Sequence, residues 1–263
     1  MAGYEWISLT TDYGLSDGFV AACHGAIARL APSVRVIDVT HLVAPGDVPR
    51  AAAVLAQAVP HLPPAVHVAV VDPGVGTARR GIVVETPGGV LVGPDNGLLP
   101  WAADALGGVD RVVELANPDW YAPDVSRTFH GRDVFAPVAA RIASGADPAE
   151  AGRPADPDAL VRLPEPVLVL GDGWLEAEVL TIDRFGNVQL AAPGELLERL
   201  GARVTVGGVR AVRGNTFADA PPGGLVMYVD SAERIAVAVN GGRAAVVLAV
   251  APGDVLRVDP ATG

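Results

Sequence analysis

Hydrophobic and polar positions along the first hundred residues alternate between two periods. Apolar segments with helical spacing begin after Asp17 and after Asp47, so both carboxylates are predicted to be helix N-caps. Short valine-rich and isoleucine-rich runs bounded by turn residues predict buried strands at 6–10, 34–39 and 66–71. This β-α-β-α-β order predicts a parallel sheet with right-handed crossovers.

The pattern changes in the second half of the chain. Five prolines and little periodicity predict a linker at 147–166. After it the pattern is mostly β, with one helix at 195–200 and a strand at 244–250 among the expected elements. We therefore predict an α/β N-terminal domain at 1–146, with a mainly parallel sheet between helices, and a smaller all-β, barrel-like domain at 167–263.

Composition narrows the function classes. No apolar run is long enough to cross a membrane, and the N-terminus lacks the features of a signal peptide, so a cytoplasmic protein without a membrane partner is expected. The net charge of −11 argues against a nucleic-acid partner. All 19 basic residues are arginines, so a phosphate-binding Walker lysine and a lysine Schiff base are excluded. The single cysteine, Cys23, has the spacing of a core residue.

Candidate chemistry lies at predicted strand ends. Asp12 and Asp72 each follow a strand, at the edge where open α/β sheets bind ligands. Arg79 and Arg80 both lie in the glycine-rich loop after Asp72, and His130 lies in the polar loop 126–133. An Asp, an Arg and a His could position and activate a water molecule, whereas Asp12, Asp72 and His130 could equally hold a divalent metal.

Seven segments, in this order, resemble one family. They are TDYGLSDGF (11–19), VVDPGVGTARR (70–80), GPDNGLL (93–99), SRTFHGRDVFAP (126–137), IDRFGNVQL (182–190), NTFAD (215–219) and YVDSAERIAVAVNGG (228–242). The family is the S-adenosyl-L-methionine (SAM) hydroxide adenosyltransferases, which hydrolyse SAM to adenosine and methionine and are related to the fluorinase and chlorinase. The resemblance extends over essentially the whole chain.

The resemblance implies a homotrimer that binds SAM between the N-terminal domain of one subunit and the C-terminal domain of its neighbour. It implies no cofactor and no bound metal, since SAM is the substrate. Asp72, Arg79 and His130 match the family's water-activating residues. The substrate-binding positions that it implies are Asp12, Phe129, Asp183, Phe185, Asn187, Phe217, Tyr228, Ser231 and Val239.

Comparison with the family's pattern also separates hydrolases from halogenases. The halogenases replace the aspartate of DPGVG with an aromatic residue and lose the loop histidine, but this chain has both Asp72 and His130. The insertion found in the fluorinase before GPDNGLL is absent. One departure concerns the last motif, where Ala236 occupies a position at which family hydrolases often have glutamate.

The predicted reaction is attack of water at the ribose C5′ of SAM. The resemblance implies that Arg79, seven residues after Asp72 in the family's register, is the functional arginine, and its neighbour Arg80 is expected to be solvated. Three other functions stay open: a SAM-dependent halogenase, a metal-dependent hydrolase and a non-catalytic SAM or adenosine sensor.

Overall fold

The structure is a computed structural model that describes residues 3–261, and it divides into two compact units. The first unit ends at Leu163 and the second begins at Pro164. No helix in the described part of the chain is long and apolar enough to cross a membrane.

The first unit contains a seven-stranded mixed sheet in the order β2-β1-β3-β5-β4-β6-β7. Strands β2, β1, β3 and β5 pair in parallel, while β4 is antiparallel to both of its neighbours and β7 is antiparallel to β6. The central strands are buried on both faces, which explains their continuous apolar runs. The strands are β1 (Trp6–Thr11), β2 (Arg35–Thr40), β3 (Val66–Val70), β4 (Gly81–Thr86), β5 (Gly89–Pro94), β6 (Arg111–Leu115) and β7 (Gly152–Ala155).

Four helices cover the two faces of this sheet. They are α1 (Phe19–Leu30), α2 (Val48–Ala58), α3 (Pro100–Ala105) and α4 (Ala136–Ala143). Residues of α1 and α4 belong to one buried apolar cluster and those of α2 and α3 to another, so the unit has three layers. Asp47 caps α2 by accepting a hydrogen bond from the Arg50 amide (3.0 Å), as predicted. Gly18, not Asp17, is the N-cap of α1, and it offers no side chain for capping.

The segment predicted to be a linker is mostly structured. It contains a short 3₁₀ helix (Pro148–Ala151) and β7, which pairs with β6 at the edge of the sheet. Its prolines are compatible with these elements, because the first turn of a helix and an edge strand both tolerate a missing amide proton. The boundary between the two units lies near the end of the predicted linker, after Leu163.

The second unit is a closed seven-stranded β-barrel. Strands pair in the circular order β9-β10-β14-β13-β12-β11-β15, because β9 pairs with both β10 and β15, and β8 extends the sheet beyond β9. Side chains of β9 alternate between buried and half-buried, which is the pattern of a strand with one face toward a core. The strands are β8 (Leu168–Leu170), β9 (Leu175–Ile182), β10 (Val188–Pro193), β11 (Arg203–Val206), β12 (Val209–Arg213), β13 (Leu225–Val229), β14 (Arg234–Val239) and β15 (Val255–Pro260).

The prediction of a strand at 244–250 is wrong, because the structure has a short helix there, α5 (Ala244–Leu248). The Ala245 amide donates to the carbonyl of Gly186 in another loop (3.0 Å), and Val246 is 70% exposed. A short apolar run does not by itself distinguish helix from strand, and here tertiary contacts decide. The helix predicted at 195–200 is a 3₁₀ helix, Gly194–Arg199.

Candidate active site

The carboxyl ends of the parallel strands lie at one edge of the first unit's sheet. Asp12 follows β1 directly and Asp72 follows β3, the neighbouring strand. Because β4 is antiparallel, it begins at this same edge, so Arg79 and Arg80 enter the sheet there. The sheet topology thus places side chains that are far apart in sequence at one edge.

Arg79 joins Asp72 to His130. Its Nε donates to Asp72 Oδ1 and Oδ2 (3.0 and 2.9 Å), and its Nη2 donates to Asp72 Oδ2 as well. The same Nη2 lies 3.0 Å from His130 Nδ1. The side chains of Asp72 and Arg79 are only 4% and 13% exposed, so this ion pair is largely shielded from water. The three residues form one continuous hydrogen-bonded set.

The contact with Arg79 determines the protonation state of His130. A guanidinium only donates hydrogen bonds, so Nδ1 must be the acceptor and the ring proton must be on Nε2. Burial and then the positive charge of Arg79 lower the pKa of His130 below its ordinary value, in agreement with a neutral ring. His130 therefore has an N–H donor at Nε2.

The loop that carries Arg79 packs closely on the loop that carries His130. Gly76 has φ +75°, and a Cβ at this position would lie 2.4 Å from the carbonyl oxygen of Arg127. The second loop is in turn held by Asp133, whose carboxylate accepts from the Ser126 amide (2.9 Å). A single π-helical turn, Gly131–Phe135, follows. These contacts fix the distance between the two loops, and with it the distance from Arg79 to His130.

Aromatic residues connect the loop of Asp12 to the loop of His130. Tyr13 packs edge-on against Phe129, with ring centroids 5.5 Å apart, and Phe19 packs edge-on against the same ring at 5.3 Å. A Cβ on Gly131 would overlap the Tyr13 hydroxyl at 2.0 Å, so this contact requires glycine. The Asp12 carboxylate accepts a hydrogen bond from the Gly46 amide (2.9 Å). The Asp12 loop is thereby packed against the His130 loop.

The GPDNGLL segment forms hydrogen bonds with residues that adjoin Asp72 and Arg79. Asn96 Nδ2 donates to the carbonyl of Val71 (2.8 Å), the residue before Asp72. Asp95 is 6% exposed and pairs with Arg80, whose Nε is 3.0 Å from Asp95 Oδ2. The expectation that Arg80 is solvated is therefore wrong, because the partner of Arg80 is a buried carboxylate and its Nη2 also donates to the carbonyl of Ala159 (2.9 Å).

In the second unit, Asp183 and Asn187 close the turn between β9 and β10. Asp183 accepts from both the backbone amide and the side-chain amide of Asn187, each at 2.8 Å. Gly186 has φ +84° and packs against Arg243. The turn presents Phe185, which is 74% exposed. An exposed aromatic ring on a fixed turn is suited to contact with a planar ligand or with another protein surface.

The remaining predicted positions lie on other parts of the barrel. Phe217 packs edge-on against Tyr228 at 5.4 Å, and burial followed by the charges of Asp230 and Asp183 raises the pKa of Tyr228 to about 12. Ser231 is exposed. Val239 is 7% exposed and its side chain belongs to the barrel core, so only its backbone is available to a ligand.

Asp12, Asp72, Arg79, Phe129 and His130 thus come together in the first unit, while the other seven candidates belong to the second. The metal hypothesis for Asp12, Asp72 and His130 meets an electrostatic obstacle, since Asp72 and His130 Nδ1 both face a guanidinium. Sequence reasoning gave no role to three supporting residues, Tyr13, Asn96 and Asp133. Their occurrence inside the motifs TDYG, GPDNGLL and SRTFHGRD was the available signal.

An α/β unit with a polar strand edge, followed by a closed β-barrel, defines a two-domain protein of the kind expected from the motifs. Residues 7–152 match the SAM hydroxide adenosyltransferase N-terminal domain, and residues 177–257 match the C-terminal domain of the same family. The chain belongs to the SAM hydroxide adenosyltransferase family.

Comparison with individual proteins gives the same result. The chain is 67% identical to the (R)-S-adenosyl-L-methionine hydrolase of Salinispora arenicola, over 98% of this chain and 99% of that protein. The crystal structure of an uncharacterized conserved protein from Thermotoga maritima superposes with a TM-score of 0.90 at 36% identity, covering 96% of this chain and 99% of the other. The fluorinase of Nocardia brasiliensis is more distant, at 29% identity over 89% of this chain and 90% of its own length.

Proposed function

We propose that this protein hydrolyses S-adenosyl-L-methionine to adenosine and L-methionine, by in-line attack of an activated water on the ribose C5′. The observation that carries the proposal is the hydrogen-bonded set Asp72–Arg79–His130 at the carboxyl-terminal edge of the parallel strands, where open α/β sheets generally bind ligands. Membership of the family and the name of the Salinispora arenicola relative supply the substrate. That name specifies the R configuration at the sulfonium, and we extend this specificity to the present chain.

In this reaction the nucleophile needs activation and the leaving group does not. Cleavage of the C5′–S bond converts a sulfonium cation to a neutral thioether, so the leaving group needs no acid. Water is a weak nucleophile, with a pKa of about 15.7. The charge of Arg79 stabilises developing hydroxide, and the Nε2–H of His130 orients the water by donating a hydrogen bond to it.

The directions of the hydrogen bonds assign the proton acceptor. Arg79 only donates, and His130 Nδ1 already accepts from Arg79 while Nε2 bears a proton. Asp72 is the one group of the three with an anionic acceptor, so in this proposal it takes the proton that the water loses. In this proposal Asp72 and Arg79 also hold the water in line with the C5′–S bond, and this positioning contributes part of the rate enhancement.

Substrate contacts come from both units in this proposal. Asp12 holds the ribose hydroxyls, Phe129 lies beside the nucleoside, and the barrel contributes the remaining substrate-binding positions. We propose that the protein is a homotrimer, in which the N-terminal unit of one subunit and the barrel of its neighbour complete each site. Each unit has exposed apolar side chains that such an assembly could cover: Leu15 (66%) and Leu42 (68%) in the first unit, and Phe185 in the barrel.

The proposal includes no cofactor and a cytoplasmic location. The one cysteine is buried, and burial raises the pKa of its thiol to about 12. Such a thiol is inert at neutral pH, so we assign catalysis to Asp72, Arg79 and His130 and give Cys23 no catalytic role.

The decisive experiment is product analysis with separated sulfonium epimers. The purified protein is incubated with the R form and the S form of SAM in buffer containing chloride and fluoride, in parallel reactions with and without EDTA. Adenosine and methionine in equal amounts, formed faster from the R form, are expected. 5′-Halo-5′-deoxyadenosine as the main product would indicate a halogenase, loss of activity in EDTA a metal-dependent hydrolase, and no turnover of either epimer a binding protein.

A further inference from the structure

A second group of ligating side chains lies on the other side of β1 from Asp72. His24 belongs to α1, Asp38 to β2 and His41 to the segment after β2. His24 Nε2 is 2.8 Å and His41 Nε2 is 3.0 Å from the same oxygen, Asp38 Oδ1. One potential ligand atom from each residue lies within 4.8 Å of the other two. Two imidazoles and a carboxylate therefore converge on one point.

His41 provides an independent observation. His41 is only 4% exposed, and its Nε2 is a buried atom without a hydrogen-bond partner among the described residues. Asp38 Oδ1 lies within ion-pair distance of His41 Nε2, but the two atoms do not have the geometry of a hydrogen bond. A buried ring nitrogen that faces a carboxylate without bonding to it lacks a satisfying partner.

The other ring nitrogen of His41 already has a hydrogen-bond partner. His41 Nδ1 lies 2.8 Å from Thr11 Oγ1. In metal sites the second nitrogen of a ligating histidine donates its proton to an oxygen acceptor, which leaves the first nitrogen deprotonated and correctly oriented. Thr11 Oγ1 can fill this role, so the tautomer that a metal requires is compatible with the contacts of His41.

We propose that His24, Asp38 and His41 form a binding site for a divalent transition-metal ion of the zinc class, separate from the hydrolytic site. Imidazole nitrogens select zinc-class ions over magnesium and calcium, which prefer all-oxygen sites. Three protein ligands leave a fourth, tetrahedral position for water. Ligands at about 2.0–2.2 Å from zinc lie roughly 3.3 Å apart, so only small side-chain shifts separate the present arrangement from an occupied site.

The site is accessible and electrostatically favourable. The side chains of His24 and Asp38 are 37% and 41% exposed, which provides a route for the ion, while His41 is the buried anchor. A net charge of −11 on the chain also favours cation binding. Asp72, Arg79 and His130 are not among these ligands, so the proposed metal site is made of different residues from the proposed hydrolytic site.

Direct metal binding by untagged protein tests this proposal. The full chain is stripped with EDTA, freed of chelator and titrated with Co²⁺, whose visible absorption reports tetrahedral coordination, and Zn²⁺ is then added to displace it. One Co²⁺ per chain with a tetrahedral spectrum is expected. His24→Ala and Asp38→Asn should each weaken binding at least tenfold, and Thr11→Val should weaken it about 10–100-fold by removing the partner of His41 Nδ1.

The matched control is His61→Ala, which removes an exposed histidine outside the cluster and should leave binding unchanged. His24 and Asp38 are partly exposed, so their variants should remain folded, which thermal melts verify. Substoichiometric binding, or binding that His24→Ala and Asp38→Asn both leave at the wild-type affinity, would overturn the proposal.

Discussion

At the scale of single residues, the guanidinium of Arg79 has a role that its neighbours cannot take over. It contacts both Asp72 and His130, and it lies over the ring of Phe135 at 5.1 Å. A lysine at this position would keep the charge, but a single ammonium lacks the planar set of donors that bridges the two partners. Charge and geometry are therefore both needed.

We predict that Arg79→Ala lowers kcat by roughly 10²–10³, the loss typical of one donor that stabilises a developing anion. Arg79→Lys should retain more activity and most of the stability, because the buried Asp72 keeps a cationic partner. Steady-state rates with thermal melts measure both effects. Arg127→Ala, an exposed arginine in the adjoining loop, is the control and should keep its turnover. Wild-type kcat in folded Arg79→Ala would contradict the mechanism.

Arg80 has a structural role in the same loop. Arg80→Ala leaves the Asp95 carboxylate, whose side chain is 3% exposed, without its cationic partner. We predict a loss of about 3 kcal/mol in the free energy of unfolding, with kcat of the folded enzyme little changed. Denaturant titration measures the loss. In the control Arg153→Ala, an exposed and loosely paired arginine, the loss should stay below about 1 kcal/mol. Equal losses in the two variants would refute the role assigned to Asp95.

At the scale of elements, the pairing of β1 with β3 buries a polar contact. The register sets Ser8 opposite His67, and Ser8 Oγ lies 2.8 Å from His67 Nδ1. Burial lowers the pKa of His67 to about 4, so the ring is neutral in the folded protein. In the unfolded chain the ring takes up a proton below its ordinary pKa, about 6.5. The stabilisation is therefore fully present above pH 6.5 and is lost as the pH falls toward 4.

This linkage predicts that the free energy of unfolding of the wild type falls more steeply between pH 7.5 and pH 5 than that of His67→Gln. The expected difference is about 2 kcal/mol, because the glutamine side chain would keep a hydrogen-bonding partner for Ser8 but does not titrate. Urea unfolding at the two pH values measures it. The control substitutes the exposed His61 in the same way. Identical pH dependence in wild type and His67→Gln would contradict the burial argument.

At the scale of the whole molecule, the proposed site draws on both units, so subunit mixing can test the homotrimer. Arg79→Ala inactivates the N-terminal unit, and Phe185→Asp places a charge on the exposed turn of the barrel, where it should not disturb folding. When the two variants are mixed in equal amounts and exchange at random, about a quarter of the composite sites in the trimers would combine two intact halves.

We therefore predict that the mixture, after exchange, recovers about a quarter of the wild-type activity per site, whereas each variant alone is nearly inactive. Exchange is followed by labelled subunits and activity by adenosine formation. Mixing Arg79→Ala with itself under the same conditions is the control. An inactive mixture with proven exchange would mean that each chain completes its own site, and a monomer in sedimentation analysis would exclude the assembly.

The sequence by itself determined the local features of this protein. The apolar run 66–71 predicts β3 with Asp72 at its end, and the alternation of strands and helices predicts the α/β unit. These patterns are readable because a strand or helix repeats its buried face at a fixed period. The seven-residue spacing from Asp72 to Arg79 is likewise local, and the two side chains are in contact in the structure.

Only the tertiary structure decided which distant groups meet. His130 is 51 residues from Arg79, and its tautomer follows from that contact. Arg80 was expected in solvent, but its partner Asp95 is buried and also accepts from the Val161 amide of a distant segment (2.9 Å). The run 244–250 became a helix because a carbonyl from the β9–β10 turn accepts from its first turn. A side chain's partners and burial depend on contacts between segments, and periodicity within one segment contains no information about them.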